Sequence, residues 1–435
     1  MIGCRRVRRA GRAWTAAALP AAAVAATLLL GAGCSLRDRS NPLDPKNRTT
    51  GGQLTGFNAL AGDRVVLLRW TQLAQTGVES WRVDRWTPGA APEPFGLFGA
   101  QATSAEDVTV HNDSTYVYRL VARFVSGDSA SSPADTVTPG TRRTMVIVAD
   151  PPAAVGLSPD ARDILFVDES SEAFGDIDLD STRGVFWLSQ VERGLITSRT
   201  FEQVLGIEFD APHPSDLAVT PQRGGVVWAA QPELSRISRF GTVDTLAAAI
   251  LGVGPARAVE ADGERSMLWI GSDDGRLFHA STATLDTVQT WRFAGRVNPV
   301  AVDESADAAW AAVRVGELVD LYRVIAGDPT PALVRSGLVN VTDLEVEPAT
   351  HTVWVCERGV PLAGSGRLTR VDASGQVLAL VTGLEPYAVS VEPGSSACWV
   401  ADLRSGRVLE ISPDGVILRR SPPLGVPYGL RVYRP

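Results

Sequence analysis

Lysine, histidine and cysteine are all scarce in this chain of 435 residues, which holds four histidines, four cysteines and, at Lys46, a single lysine among 41 basic side chains. His111, His213, His279 and His351 are too far apart to give the closely spaced ligand pairs of zinc sites. No Gly-rich segment ends in Gly-Lys-Ser or Gly-Lys-Thr, which excludes a phosphate-cradling loop, and no Gly-x-Ser-x-Gly nucleophile elbow occurs. The formal net charge is −8, with no basic stripe to neutralise phosphates, so nucleic acid is excluded as a partner.

The basic residues that are present begin at the N-terminus. Arg5, Arg6, Arg8, Arg9 and Arg12 precede Ala16–Leu30, a mostly apolar run of 15 residues that is short for a membrane span. Small residues then lead into a cysteine at Leu30-Gly31-Ala32-Gly33-Cys34. This resembles the lipobox of bacterial lipoproteins, with Leu one position earlier than usual. The resemblance implies that residues 1–33 are a signal peptide, that Cys34 carries the lipid, and that the protein sits in the cell envelope, extracytoplasmic and membrane-anchored. Losing 1–33 removes five arginines and no acids, which takes the net charge from −8 to −13. The stretch that follows, with Asn41-Pro42-Leu43-Asp44-Pro45 and Thr49-Thr50-Gly51-Gly52, has coil composition, and 34–52 is expected to be the lipidated Cys and a flexible tether.

The strongest pattern lies further on. Trp187, Trp228, Trp269, Trp310, Trp354 and Trp399 recur at intervals of 41, 41, 41, 44 and 45 residues, each inside a short apolar run. A period in the low forties, with β-branched runs separated by Gly, Asp or Pro turns, is that of one four-stranded propeller blade. The predicted fold is therefore all-β, with a β-propeller over 142–435. A motif for the innermost strand recurs before each tryptophan, and a further copy, Tyr428-Gly429-Leu430-Arg431-Val432, ends the chain with no partner after it. Val146–Asp150, Val155–Asp160 and Ile164–Phe166 supply the missing strands, with Ile147 in the tryptophan position. Seven blades are expected, the first closed by the C-terminal strand; six blades with a stray hairpin is the alternative. In this arrangement Cys356 and Cys398 are offset by about 10 Å along adjacent blades, beyond disulfide reach, and two buried free thiols are expected.

Pro386 to Gly415, with Val400-Ala401-Asp402 after Trp399 and Ser412-Pro413-Asp414-Gly415, resembles NHL-type propellers of bacterial surface proteins. The resemblance implies a fold used by scaffolds, adhesins and a few lyases and lactonases. Residues 53–139 show a smaller β pattern. Trp70 and the alternating Tyr116, Tyr118, Leu120 and Ala122 resemble a fibronectin type III domain, which implies a sandwich acting as a spacer.

Three carboxylates, Asp176, Asp216 and Asp343, fall at one position of the inner-strand motif. There they face the central channel and are candidates for holding a divalent cation, although an aspartate at a strand start more commonly caps its own turn. The extended sixth-unit loop that includes Pro361, Leu362, Ala363, Gly364, Ser365 and Gly366 is the candidate ligand-binding surface. The function expected is a membrane-anchored binding or scaffold protein presenting a propeller face to a protein or glycan. The alternative is an extracytoplasmic lyase or lactonase-type hydrolase, with His213 and a metal at the propeller mouth. The scaffold is preferred to the enzyme, and no other cofactor is expected.

Overall fold

Alternating burial organises the first of two β units. The structure, a computed structural model, describes residues 43–44, 52–73, 77–201, 205–220, 225–241, 248–360, 364–392 and 394–435. The leader at 1–33, the lipidation candidate Cys34, and Pro361, Leu362 and Ala363 lie outside them. Strands Asn58–Ala61, Val66–Arg69 and Ser104–Asp107 form one antiparallel sheet. Glu93–Gly99, Val78–Trp86, Tyr116–Phe124 and Ser129–Ser131 form a second in that order, with Asp135–Val137 also paired to Tyr116–Phe124. The two share one core. Tyr118, Leu120 and Ala122 are buried in it, and Trp70 meets Trp81 with ring centroids 6.2 Å apart. Asp107, fully buried, is satisfied by the Tyr118 hydroxyl at 2.8 Å and the Arg85 guanidinium at 2.6 Å. Leu43, in the stretch expected to be tether, packs against the same core.

From Arg143 to Tyr433 the described residues hold seven four-stranded antiparallel sheets. Six follow one another along the chain; the last of these comprises Pro386–Val391, Cys398–Asp402, Arg407–Ile411 and Ile417–Arg420. The remaining sheet joins the two ends. Pro427–Tyr433 pairs antiparallel with Arg143–Ala149, setting Leu430 opposite Val146, and Pro152–Leu157 and Ile164–Glu169 complete it. Each sheet's innermost strand touches the next around the whole ring, including Pro427–Tyr433 against Ile177–Asp180. Pairing the chain's ends in this way leaves no inner strand without neighbours.

Second strands are covered on both faces by neighbouring sheets, so their central residues are apolar at consecutive positions instead of alternating. Thr352–Glu357, for example, is buried at every residue. All six periodic tryptophans are at most 2% exposed. Trp187 stacks on Phe209 at 5.8 Å and Trp269 on Trp291 at 5.4 Å. Each such ring contributes about 2–3 kcal/mol through area alone. In the ring-closing sheet the tryptophan position is not Ile147. Arg431 stands opposite Met145, as Ser390 stands opposite Trp399, so Met145 fills that place. Met145 lies 42 residues before Trp187 and Ile147 only 40, and a run of apolar residues, Met145-Val146-Ile147-Val148, gave no residue type by which to tell the two positions apart. Cys356 and Cys398 are buried and free.

Ion pairs and hydrogen bonds tie the ring closure to the sandwich. Buried Arg142 reaches Glu392 at 2.8 Å and lies 4.9 Å from the centre of the Trp399 ring. Arg434 also binds Glu392, and reaches Asp113 of the sandwich at 3.3 Å. The Thr138 amide donates to Asp160 Oδ2 at 3.1 Å.

Candidate functional site

The innermost strands are irregular at one place, and it is the same place in sheet after sheet. Pairing with the second strand slips between Ala256 and Ala258, Val297 and Val300, Val341 and Asp343, Pro386 and Ala388, and Pro427 and Gly429. A bulge lets a strand carry an extra residue and re-aims its side chain. The residues at these slips, Arg257, Asn298, Thr342, Tyr387 and Tyr428, all line one cavity of about 200 Å³ at the mouth of the central channel. Gly175 and Ser215 complete its rim. Tyr387 and Tyr428 pack edge to face with centroids 6.2 Å apart. The Tyr428 hydroxyl donates to the Phe174 carbonyl, which fixes one side of the opening.

Below the rim lie the three candidate carboxylates, and each is already engaged by the next sheet. Asp176 Oδ2 accepts the Leu217 amide at 2.9 Å, Asp216 Oδ2 the Val259 amide at 2.7 Å, and Asp343 Oδ2 the Val389 amide at 2.8 Å. Asp178, one layer deeper, accepts the Val219 amide at 2.8 Å. The inner edge of an innermost strand has no further strand to pair with, so its amides need other acceptors. These aspartates supply them from the preceding sheet. The expected local cap is also seen: Asp343 Oδ1 accepts the adjoining Leu344 amide at 2.9 Å, and Asp176 accepts the adjoining Ile177 amide. The same oxygens are the ones a cation would need. Among the described residues no three His, Cys, Asp or Glu side chains are grouped to hold a metal ion.

Asp178, Glu260 and Glu345 continue the acidic lining downward, and Arg431 is the cation among them, with Nε 3.0 Å from Asp178 Oδ1. Enclosure by the ring strips water from these groups and opposes their charged forms. Burial pushes Asp343 up to about 6 and Glu345 up to about 7, although Arg431 pulls both back. Asp216 and Glu260 rise well above the usual carboxylate range for the same reason, reinforced by neighbouring carboxylates. Burial alone would lower Arg431, but Asp178, Glu345, Asp176 and Glu260 outweigh it and hold the guanidinium firmly charged.

A second hollow of about 330 Å³ opens beside the mouth and shares Arg257, Asn298, Thr342 and Tyr387 with it. Arg296, Arg314 and Asn340 form its far side. Of the sequence candidates, Asp176, Asp216 and Asp343 do come together at the channel mouth. His213 does not line it; its Nε2 lies 3.5 Å from Glu233. In the candidate loop the Ser365 hydroxyl accepts the Val360 amide at 2.9 Å, and Arg358 at the loop's start pairs with Glu385 at 2.7 Å. Arg358 also lies 5.9 Å from the centre of the Tyr387 ring, which connects the base of this loop to the mouth. Sequence reasoning missed the five rim residues. Each stands directly before the motif position that had been singled out, a signal available in the alignment of the repeats.

No family model matches the chain and no curated protein matches it. Solved structures do. A functionally unknown protein from Desulfotomaculum acetoxidans aligns with a TM-score of 0.54 at 12% identity, covering 67% of this chain and 99% of that one. Hydrazine synthase from Kuenenia stuttgartiensis aligns with a TM-score of 0.52 at 12% identity, over 59% of this chain and 88% of that one. The WD40 repeats of RRP9 give 0.52 at 10% identity, over 66% and 88%. Similarity at this level shows fold alone, and the fold is the β-propeller.

Proposed function

We propose that this protein is a membrane-anchored, extracytoplasmic scaffold whose propeller mouth binds a protein or glycan partner. Lipid on Cys34 holds it to the cell envelope, a short tether follows, and a fibronectin type III-like sandwich spaces an NHL-like propeller from the membrane. The order of strands in the two sheets between Asn58 and Val137 and the buried Trp70 support the spacer reading. The repeated bulge carries the functional reading. Five inner strands break register at one level and turn a different side chain toward the mouth, giving a rim of Arg, Asn, Thr and two Tyr over a regular frame. Diversity concentrated at one level of a repeated frame is the pattern of a recognition surface.

Site-specific photocrosslinking in intact envelopes tests this. A crosslinker at Thr342, on the rim, should yield discrete adducts, whereas one at Val288, an exposed residue of an outer strand, should not. Equal labelling at the two positions, or none at Thr342, would count against the mouth as the binding face.

A further inference from the structure

Within the binding role just proposed, on which this inference rests, we propose that the hollow beside the mouth takes an acidic peptide segment. In it Arg296 and Arg314 act as a cationic fork for a carboxylate side chain. The two arginines are direct partners across adjacent strands, Arg296 opposite Arg314. Directly opposed residues on one face have Cβ atoms about 4.5–5.5 Å apart, and like charges there destabilise a sheet. Nothing nearby relieves the repulsion. Arg296 is exposed with no acidic partner among the described residues. Arg314 Nη2 meets only neutral acceptors, Asn340 Oδ1 at 3.3 Å and the Val341 carbonyl at 3.4 Å. The third arginine of the hollow, Arg257, is already committed to Asp273 at 2.6 Å. Two unneutralised guanidinium groups therefore share one concave surface in a chain whose net charge is −8.

Guanidinium pairs favour planar anions that accept two hydrogen bonds at once, of which carboxylate is the commonest in proteins. The remaining lining suits a peptide backbone. Asn298 offers an amide donor and a carbonyl acceptor, and Tyr387 offers a flat apolar face with a polar tip. The adjoining channel does not cancel the attraction. Its carboxylates are tied to backbone amides, pushed toward their neutral forms by burial, and offset by Arg431. An acidic partner is repelled by the molecule at large and held at this one place, which makes the fork a determinant of specificity.

The test is fluorescence anisotropy of a labelled hexaglutamate peptide with the full chain in detergent, with hexalysine and oligogalacturonate run alongside. Saturable hexaglutamate binding that weakens with salt is expected, and Arg314→Ala should reduce it at least about tenfold, as loss of one charge-assisted hydrogen bond implies. Arg296→Glu should also abolish binding while raising the melting temperature, because it converts the repulsive pair into an attractive one; this separates loss of the fork from loss of folding. No saturable binding, binding unchanged in both variants, or preference for oligogalacturonate over hexaglutamate would overturn the acidic-peptide proposal. If Thr342 crosslinks form but hexaglutamate does not bind, the scaffold reading survives alone. If hexaglutamate binds but no crosslinks form, the fork survives and the scaffold reading fails.

Discussion

Asp178 and Arg431 are separated by 253 residues in sequence and by 3.0 Å in space, carboxylate Oδ1 to guanidinium Nε, inside the channel. One belongs to Ile177–Asp180 and the other to the C-terminal strand Pro427–Tyr433. The pair bridges the sheet in which the ring closes and its neighbour. It also supplies positive charge to a channel otherwise lined by Asp176, Asp178, Asp216, Glu260, Asp343 and Glu345. One side chain therefore both joins the ring-closing sheet to its neighbour and offsets the acids at the centre.

Arg431→Met keeps the length of the side chain and removes its charge. The carboxylates around it then lose their counter-ion, and each has either to take up a proton or to repel its neighbours in an enclosed space. At pH 5 protons are available to them and the loss of stability should be modest. At pH 8 the enclosed charges persist and the loss should be larger, on the order of 3–5 kcal/mol, the usual cost of unpairing a buried ion pair. Chemical denaturation at the two pH values measures the difference. Equal losses would mean that Arg431 matters for packing alone.

The wild-type protein should itself lose stability as pH rises. Asp343 is held at about 6 and Glu345 at about 7, against ordinary values of 3.8 and 4.5. Both folded values lie above the unfolded ones, so the native state binds more protons across this interval. The stabilisation is complete below about pH 4 and disappears as pH climbs through about 6 and 7, with a slope of up to about 1.4 kcal/mol per pH unit for each group. Glu345→Gln, which is neutral at all pH values, should flatten the curve between pH 5 and pH 7.5. Melting curves of the two proteins at half-unit intervals check this. A mutant slope no shallower than that of the wild type would show that Glu345 does not carry the effect.

Legibility in the sequence stopped at a definite level. The tryptophan period and the orphan Tyr428–Val432 motif were readable because burial on both faces of the second strand and pairing at the ring's seam both demand particular residue types at regular spacing. The bulges were not readable in the same way. An inserted residue changes pairing while leaving apolar spacing nearly intact, so Arg257, Thr342 and Tyr387 looked like ordinary strand residues. Ile147 was preferred to Met145 because the ring-closing sheet has no tryptophan to fix the register of its apolar run, which only the pairing of Arg431 with Met145 reveals. The aspartates stood out by position, but their partners lie one repeat later, 41 to 46 residues away, and neither turn propensity nor ligand spacing reports on that distance. The fork of Arg296 and Arg314 depends on cross-strand register, which the sequence alone leaves open.

Asp216 provides a test of the stapling role against a metal role. Its carboxylate is held well above its ordinary pKa by burial and accepts the Val259 amide at 2.7 Å. Asparagine resembles the protonated acid and retains the accepting oxygen, so Asp216→Asn should leave stability unchanged or slightly raised at neutral pH. Asp216→Ala orphans the amide and should cost about 1–3 kcal/mol. Calorimetry with and without calcium distinguishes the two roles. Heat of calcium binding in the wild type that disappears in the Asn variant would establish a cation site and displace the staple as the reason for the carboxylate.

The backbone beside the arginine fork has its own requirement. Gly295 lies one residue before Arg296, and a Cβ built there would sit 2.0 Å from the Arg314 carbonyl oxygen. The neighbour is backbone, so it cannot swing aside as a side chain tip can, and the strands must separate locally to admit a methyl group. Gly295→Ala should therefore cost about 1–3 kcal/mol through overpacking. It should also move Arg296 relative to Arg314 and weaken hexaglutamate binding, although neither arginine is altered. Gly99→Ala is the matched control. It lies in the sandwich with nothing within 4 Å of the added Cβ, and should change stability by no more than about 0.5 kcal/mol with no effect on binding. If Gly295→Ala lowers the melting temperature but leaves peptide affinity intact, the spacing of the two strands is needed for folding and not for holding the fork.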